Sequence, residues 1–283
     1  MHIVCCIKQV PDTAQVKIDP DTNTLIRSGV ESICNPYDIV AVEAAVQLVE
    51  KHGGKVTVIS MGPPQAESAL REALSLGAHQ AILLSDRAFA GSDTLATSYT
   101  LASAISKIGT TDPVQLVICG KQAIDGDTAQ TGPGMATRLG CTLFTYVSEI
   151  REVNLRDGYI TVKREVEDGS EIVRGKLPAL LTVELQLGIP RYASLPELVR
   201  SLREEVKIWG AKEIDAVPDR LGVKGSPTLV KGISAPETRK GGLMFNAQDD
   251  DKAVDSFLNK LFEKESSLVD EILAKKKGDN AQE

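Results

Sequence analysis

The first half of the chain alternates short apolar runs with segments in which apolar positions recur every three or four residues. Compact β-branched runs bounded by Gly, Pro or Asp are typical of buried parallel strands, and the longer spacing predicts helices that cover them. The predicted strands are Ile3–Val10, Lys55–Ser60, Ala81–Ser85 and Val114–Cys119. The predicted helices are Val40–Lys51, Gln65–Leu76, and Asp93–Lys107 with its end at Gly109. This alternation predicts a doubly wound, mostly parallel α/β sheet.

Beyond Leu143 the pattern changes to short alternating runs separated by turn residues. The runs Phe144–Ile150 and Tyr159–Glu165 and a third run from Ile172, with turns at 156–158 and 168–169, predict an antiparallel edge of the sheet. A helix is predicted over Leu195–Trp209, and the repeated Gly and Pro that follow favour an extended C-terminal arm. Apolar residues at helical spacing within Asp249–Lys277 predict one or two further helices that pack outside the main core.

Charge and composition exclude several classes of protein. The net charge of -7 argues against a nucleic-acid partner, which would require clustered Lys and Arg. No apolar run approaches the roughly 20 residues of a membrane-spanning helix, so no integral membrane segment is expected. The opening Met1–Lys8 is typical of a buried strand and lacks the features of a signal peptide, which predicts a cytoplasmic protein.

The cysteines and histidines give no sign of redox or metal chemistry. Cys5 and Cys6 are adjacent, so on a strand they point to opposite faces and are expected to be small buried side chains. The five cysteines show no C-x-x-C spacing, and the three histidines are scattered. We therefore expect reduced thiols and no metal site.

The segment Gly120–Gly134 is the most informative motif. In a doubly wound sheet, ligands bind beyond the carboxyl ends of the strands, and this segment follows a predicted buried strand and leads into a helix. Its glycines let a ligand approach the backbone, and N–H groups at a helix start favour phosphate. Five hydrogen-bonding side chains lie within it, more than a plain turn requires: Asp125, Asp127, Thr128, Gln130 and Thr131. The segment therefore predicts a phosphate-binding loop.

This loop resembles the nucleotide-binding loop of electron-transfer flavoprotein β subunits, a family with an adenine-nucleotide hydrolase-like fold. The stretch Val162–Thr182 is similar to the family's signature of a basic residue, an acidic turn with glycine, a further acid and a proline before an apolar strand. Similar stretches also occur at Cys6–Asp12, Cys34–Asp38 and Ser60–Pro63, so the resemblance covers about the first 210 residues.

The resemblance implies where a nucleotide binds and which nucleotide it is. Conventional members hold AMP in this subunit, whereas electron-bifurcating members hold a second FAD there and accept hydride from NADH. Asp86–Thr97 and Asp125–Gln130 resemble the bifurcating type, with small residues at Gly126 and Ala129 where the AMP type has bulkier ones. FAD is therefore expected, with AMP as the alternative. The implied cofactor-binding residues are Cys6, Asn35, Pro36, Tyr37, Asp38, Met61, Asp93, Thr94, Thr97, Gly120, Lys121, Gln122, Asp125, Gly126, Asp127, Thr128, Ala129, Gln130 and Thr131.

The resemblance also implies partners. Pro190–Leu198 is similar to the family's recognition loop, in which a leucine, here Leu195, anchors in an apolar pocket of a dehydrogenase. From the residues alone, Leu195 could equally lie on the core face of a helix. The expected partners are a larger α-type subunit, an acyl-CoA dehydrogenase and a low-potential acceptor such as ferredoxin. The expected domains are 1–210, which carries the cofactor and the recognition loop, and 211–283, an arm with helices that pack on the larger subunit.

These expectations describe an electron carrier with no catalytic side chains of its own. Electrons from NADH would pass through FAD in this subunit to the larger subunit's FAD and its partners by electron bifurcation. Two alternatives stay open at this point. One is a conventional β subunit that holds structural AMP. The other is an ATP-using enzyme of the same fold, although the first strand leads into Lys8-Gln-Val-Pro-Asp-Thr13 and not into a phosphate loop of the S-G-G-x-D-S type.

Overall fold

A computed structural model describes residues 1–12, 17–18, 25–26, 32–229, 242–246 and 252–264 of the chain. Within these residues the strands are β1 (His2–Cys6), β2 (Gln9–Pro11), β3 (Lys17–Ile18), β4 (Leu25–Ile26), β5 (Ser32–Cys34), β6 (Lys55–Met61), β7 (Gln80–Leu84), β8 (Leu116–Gly120), β9 (Thr142–Asn154), β10 (Tyr159–Val166), β11 (Gly169–Lys176), β12 (Ala179–Val183) and β13 (Val206–Trp209). The α-helices are α1 (Pro36–His52), α2 (Glu67–Ser75), α3 (Thr94–Thr111), α4 (Thr131–Leu139), α5 (Leu195–Arg203) and α6 (Ala253–Lys264).

One sheet of nine strands, in the order β11-β10-β9-β12-β8-β1-β6-β7-β13, forms the body of the described chain. The seven strands from β9 to β13 in this order run parallel, and β10 pairs antiparallel with both β9 and β11. The middle strand of these seven parallel strands is β1, in which Cys6 is aligned with Ile59 of β6 and with Cys119 of β8. The predicted parallel α/β sheet with an antiparallel edge is confirmed.

Helices cover both faces of this sheet and create two apolar cores. One core contains Ile3 and Cys5 of β1 with residues of α1 and α2. The other contains Val4 and Cys6 with residues of α3 and α4. Cys5 and Cys6 therefore point to opposite faces, as the period of two along a strand requires. A doubly wound arrangement places the ends of the central strands between the two helical layers.

Three local predictions are wrong. The strand predicted over Ile3–Val10 ends at Cys6, and Gln9–Pro11 pairs with β5 in a separate two-stranded sheet. The helix predicted over Leu195–Trp209 ends at Arg203, and Val206–Trp209 instead forms β13, which pairs with β7 and is the edge strand of the sheet. Without β13, strand β7 would end the sheet and leave a row of backbone N–H and C=O groups unpaired. Pairing with these groups stabilises the short β-branched run as a strand more than its helical pattern favours a helix. Helix α3 also continues through Gly109 to Thr111, and ends only beside the Asp112–Pro113 step, where proline disfavours further helix.

The chain has two compact units, Met1–Ser234 and Ala235–Glu283. In the first unit, residues 210–229 form turns that follow β13 without a further strand or α-helix. In the second unit the described residues contain α6, whose Phe257 ring packs edge-on against Phe245 with 5.7 Å between centroids. The other residues of the predicted arm and of the predicted C-terminal helices lie outside the described part of the chain.

The close approach of β8 to α1 requires a glycine. A Cβ atom at Gly120 would lie 2.4 Å from Cβ of Tyr37 and 2.5 Å from Oδ1 of Asp38. Real Cβ atoms do not approach so closely, and the Tyr37 backbone is also near, at 3.0 Å. The last residue of β8 therefore fixes how deeply the start of α1 packs against the sheet.

We expect Gly120→Ala to lower the free energy of unfolding by about 1–3 kcal/mol, because the helix must move away from the strand. Gly109→Ala is a matched control, since a Cβ atom at this helical glycine would have no neighbour within 4 Å and alanine favours helix by up to about 1 kcal/mol. Urea unfolding of both variants measures the difference. If Gly120→Ala unfolds with the same free energy as the native chain, α1 can shift away from β8 without cost.

Candidate functional site

The carboxyl ends of β1, β6, β7 and β8 lie next to one another in the sheet, and the predicted cofactor-binding residues lie at or after these strand ends or at the start of α1. Cys6 and Gly120 are the last residues of β1 and β8, and Met61 is the last residue of β6. Asp93 and Thr94 follow β7 at the start of α3. The topology therefore gathers the predicted residues at one edge, whereas Leu195 lies apart from them on α5.

Asn35 and Asp38 link the elements that meet at the carboxyl ends of these strands. The Asp38 carboxylate accepts hydrogen bonds from the backbone N–H groups of Lys8 (2.8 Å) and Gly120 (2.9 Å). The Asn35 side chain donates to the carbonyl of Gln122 (2.9 Å) and accepts from the N–H of Ile124 (3.2 Å). Both side chains are buried and sit at the start of α1. They fasten the helix to the ends of β1 and β8 and to the loop after β8.

The buried position of Asp38 changes its acidity. Desolvation raises the pKa of this carboxyl to about 7, although hydrogen bonds from Asn35 and from the Gly120 and Lys8 N–H groups oppose the shift. Desolvation dominates because a charged carboxylate loses its hydration inside the protein. The two backbone donors are satisfied by this one side chain, so its removal would leave the buried Gly120 N–H and the partly buried Lys8 N–H without an acceptor.

The loop between β8 and α4, residues 121–130, is held by its own polar side chains. Lys8 pairs with Asp125 (2.6 Å), and the Gln122 amide donates to Asp127 (2.7 Å). Lys121 pairs with Glu184 (2.9 Å) beyond β12, with its ammonium 5.2 Å from the centroid of the Tyr37 ring. These contacts fix the path of the loop and occupy charged groups that the sequence offers to a ligand.

Inside this loop the backbone is strained at two residues that are not glycine. Asp127 and Ala129 have φ of 51° and 53°, which non-glycine residues rarely adopt. Gly126 shows the reverse: its φ is not in the left-handed region, and a Cβ atom there would have no neighbour within 4 Å. Neither the backbone nor the surrounding protein accounts for a glycine at 126. Strain of this kind concentrates at ligand-binding loops.

The N-terminus of α3 contacts the loop between β8 and α4 through one hydrogen bond. Thr94 Oγ1 donates to Oε1 of Gln130 at 3.1 Å. Asp93 caps the helix by accepting from the N–H groups of Leu95 and Ala96, and its other oxygen accepts from Thr228 (2.8 Å from Oγ1). Burial would raise the pKa of Asp93, but these hydrogen bonds outweigh it and lower the pKa. Asp93 is therefore a charged cap that also fastens the segment after β13.

The remaining predicted residues divide into exposed and buried groups. Thr128 is exposed, and Thr97 is half-buried with its N–H bonded inside α3. Thr131 begins α4, where the first N–H groups of a helix have no partner within it and favour an anion. Pro36 is the first residue of α1. Cys6 is buried, with its sulfur 3.7 Å from the sulfur of Met135, and burial raises the pKa of its thiol.

Sequence reasoning missed several residues that shape this edge. Lys8, Glu184 and Ser226 each contact a predicted residue: Lys8 pairs with Asp125, Glu184 pairs with Lys121, and the Ser226 hydroxyl accepts from the Asp93 N–H at 2.8 Å. They lie far along the chain from their partners. No local pattern could have indicated these pairs, because only the folded sheet brings them together.

Leu195 lies at the start of α5 and not in the core. Its side chain is 73% exposed and the preceding Tyr192 is 99% exposed, which excludes the core-face interpretation. Leu198, Val199 and Leu202 continue the exposed apolar face at helical spacing. The opposite side of α5 is fastened to α2 by Arg200, whose guanidinium donates to the carbonyls of Leu74 and Ala78 at 2.8 Å each.

Comparison with known proteins places this architecture in a family. A family model described as "Electron transfer flavoprotein domain" matches residues 22–212. The chain belongs to the electron transfer flavoprotein family. Within the family it is similar to the protein FixA of Azorhizobium caulinodans, with 46% identity over 281 residues that cover 98% of this chain and all of the relative. It is also 50% identical over 242 residues to the electron transfer flavoprotein subunit beta of Clostridium acetobutylicum, covering 86% of this chain and 91% of that protein.

The FixA protein of Azotobacter vinelandii is 49% identical over 277 residues, which cover 96% of this chain and 98% of the relative. The similarity therefore extends beyond the matched family domain toward the C-terminus. Within the described part of the chain, no helix is both long enough and apolar enough to cross a membrane.

We expect Asp38→Asn to lower the free energy of unfolding by about 1–3 kcal/mol at neutral pH, since an amide cannot accept from both N–H groups. The pH dependence should change as well. Because the folded-state pKa of about 7 lies above the ordinary 3.8, the folded chain holds this proton more tightly, and the contribution of Asp38 to stability falls as pH rises between these values. Asp38→Asn cannot lose a proton at this position, so its free energy of unfolding should not show this decrease with rising pH.

Chemical denaturation of both proteins between pH 5 and 8 measures this slope. Asp219→Asn is the control, because Asp219 lies in an exposed ion pair with Lys224 and its removal should change stability little. Parallel slopes for the native chain and Asp38→Asn would contradict the assignment.

Proposed function

We propose that this chain is the small subunit of a heterodimeric electron-transfer flavoprotein, and that it binds FAD and takes electrons from NADH. From this subunit the electrons go to the FAD of a larger α-type subunit, to an acyl-CoA dehydrogenase and to a low-potential acceptor such as ferredoxin, by electron bifurcation. The name of the Clostridium acetobutylicum relative, a subunit beta, supports the assignment to the small subunit.

The observation that carries the FAD assignment is the open space at Gly126. A side chain is missing at 126 although neither φ nor a neighbouring atom excludes one, and Ala129 is small despite its strained backbone. FAD requires a path for its ribityl chain and pyrophosphate along such a loop, and side chains at these two positions would narrow that path. AMP is smaller and makes no such demand.

The residues of the site bind and orient in this proposal, and none reacts. Small residues and the first N–H groups of α4 favour a pyrophosphate, and the exposed Thr128 hydroxyl is available for a hydrogen bond. Asn35 and Asp38 act through the backbone, because their side chains are engaged in holding the loop. Bound flavin supplies the redox chemistry, and the chain supplies position and electrostatics.

A conventional β subunit that holds structural AMP is the second candidate. The anchoring of the loop by Asn35 suits any adenine nucleotide and therefore supports this candidate as well as FAD. An ATP-using enzyme of the same fold is disfavoured by the family match. In addition, the Lys8 N–H group after β1 donates to Asp38 and is therefore not available to bind a phosphate.

The C-terminal residues are proposed to dock on the larger subunit, with domains at 1–210 and 211–283. Support comes from α6, on which Val254, Phe257 and Leu258 are 64%, 45% and 38% exposed at a spacing that makes one apolar face. An apolar helix face of this kind requires a partner to be shielded from water.

We expect the purified heterodimer to contain two FAD, and we expect Gly126→Glu to reduce this to about one. The glutamate side chain would occupy the open space beside the loop and place a negative charge near the pyrophosphate. Acid extraction followed by chromatography measures FAD and AMP per heterodimer. Reduction by NADH, followed by stopped-flow absorbance, should be lost together with the flavin.

Gly158→Glu is a matched control, because Gly158 lies at the remote β9–β10 turn and likewise has no neighbour within 4 Å, although its positive φ adds local strain. It should keep two FAD. One FAD and one AMP in the native complex would establish the conventional candidate instead.

We expect Leu195→Ala to weaken coupling to an acyl-CoA dehydrogenase by roughly 1–4 kcal/mol, as truncation of an interface anchor does, with flavin content unchanged. Leu155→Ala is the control, since Leu155 is a partly exposed leucine at the turn between β9 and β10. The KM for the dehydrogenase in steady-state assays measures the effect. Normal coupling in Leu195→Ala would remove the docking role from this loop.

A further inference from the structure

The segment that leads into α5 projects large apolar side chains but has little to hold it. Tyr192 and Leu195 are 99% and 73% exposed, and Ile189 is 91% exposed. Across residues 188–193, all of which the structure describes, Arg191 is the one residue whose side chain forms hydrogen bonds or ion pairs. The position of Tyr192, and the path by which the chain enters α5 at Leu195, therefore depend on what Arg191 contacts.

The Arg191 side chain forms hydrogen-bonded ion pairs with two glutamates of α1, an arrangement called the clamp below. Its Nε and Nη2 atoms donate to Glu43 at 2.9 and 3.1 Å, and its Nη1 and Nη2 atoms donate to Glu50 at 2.6 and 3.0 Å. The backbone N–H of Arg191 adds a bond to Glu43 at 3.1 Å. Glu43 and Glu50 are seven residues apart, which places them on one face of the helix. A planar guanidinium can form two hydrogen bonds to each carboxylate at once, whereas a lysine ammonium has only three N–H donors.

This contact is not an ordinary surface ion pair. The Glu43 side chain is only 4% exposed, and it also accepts from Gln47 at 2.7 Å. Burial alone would raise the pKa of Glu43, but the hydrogen bonds from Arg191 outweigh burial and lower it. A buried charged partner gives the clamp a fixed geometry, whereas an exposed pair would sample many.

The clamp holds only the N-terminal end of the exposed apolar face formed by α5 and the segment before it. The middle and the end of α5 are fastened separately to α2, by Arg200 and by Arg71, which donates to the Ser201 carbonyl at 2.7 Å. Loss of Arg191 therefore leaves α5 in place and releases the segment before it. Tyr192 belongs to the released segment, and Leu195, the first residue of α5, directly adjoins it.

We propose that Arg191 is a positioning residue for dehydrogenase docking: its clamp on Glu43 and Glu50 holds Tyr192 and Leu195 in the geometry that the partner binds. This rests on the proposed docking role of Leu195. Arg191 does not contact the partner. It removes conformational freedom from the segment before binding, so that less freedom is lost on docking.

The test uses the complete heterodimer and a purified acyl-CoA dehydrogenase that exchanges electrons with it. Arg191→Gln should raise the KM for the dehydrogenase roughly 3- to 10-fold with kcat and flavin content unchanged. Hydrogen exchange of the amides in 188–195 should accelerate without any partner present. Arg156→Gln is the matched control, because this exposed arginine at the β9–β10 turn undergoes the same change of charge far from α5.

Glu50→Ala separates positioning from direct contact. If Arg191 acts through the clamp, removing one of its two anchors raises the KM as well, and it spares the buried Glu43. A direct contact between Arg191 and the dehydrogenase would instead leave the KM unchanged or lower it. In the Leu195→Ala background, Arg191→Gln should add little, since the residue that it positions is already gone.

Unchanged hydrogen exchange in 188–195 would overturn the proposal whatever the kinetics show. A normal KM in Arg191→Gln combined with a raised KM in Leu195→Ala would overturn this inference alone. A normal KM in Leu195→Ala would refute the docking face itself, and the positioning role would fall with it. Fully additive effects of Arg191→Gln and Leu195→Ala would also contradict positioning.

Discussion

The acceptance of two backbone N–H groups by the buried Asp38 carboxylate is the constraint on which the site depends. These N–H groups belong to Lys8 and Gly120, which lie just beyond Cys6 and Cys119, the last aligned pair of the parallel strands β1 and β8. Because one carboxyl group accepts from both N–H groups, it links the two strands beyond the end of their hydrogen-bond ladder. Because Asp38 lies in the first turn of α1, the same bonds also fix that helix against the sheet.

Gly120 and Asn35 follow from this constraint. The helix comes so close to β8 that residue 120 can carry no side chain, and the loop after it must turn immediately toward α4. Asn35 guides that turn through Gln122 and Ile124, and ion pairs hold its outer part. The polar groups at this edge are thus largely bonded to one another. What the loop offers a ligand is backbone, shape and the start of α4, more than free charge.

This explains why the sequence predicts the location of the site better than its contacts. Apolar periodicity identifies the strands, and the sheet topology then requires the loops after them to meet at one edge. Which oxygen accepts which hydrogen is decided by packing: Asp93 is a helix cap bound to Thr228, 135 residues away, and Lys121 is bound to Glu184. The same limit explains β13, where Val206–Trp209 pairs with β7 against its local helical pattern.

Helix α1 carries both of the arrangements that matter most for the proposed role. Its first turn holds the loop beside the proposed cofactor through Asn35 and Asp38, and its later turns hold the segment before α5 through Glu43 and Glu50. Between Asp38 and Glu50 the helix rises about 18 Å, at roughly 1.5 Å per residue. A packed helix resists bending, because its apolar face is buried along its length. The distance between the proposed cofactor loop and the proposed docking segment is therefore set by one rigid element, which the proposed role requires if each partner is to meet the cofactor at the same separation.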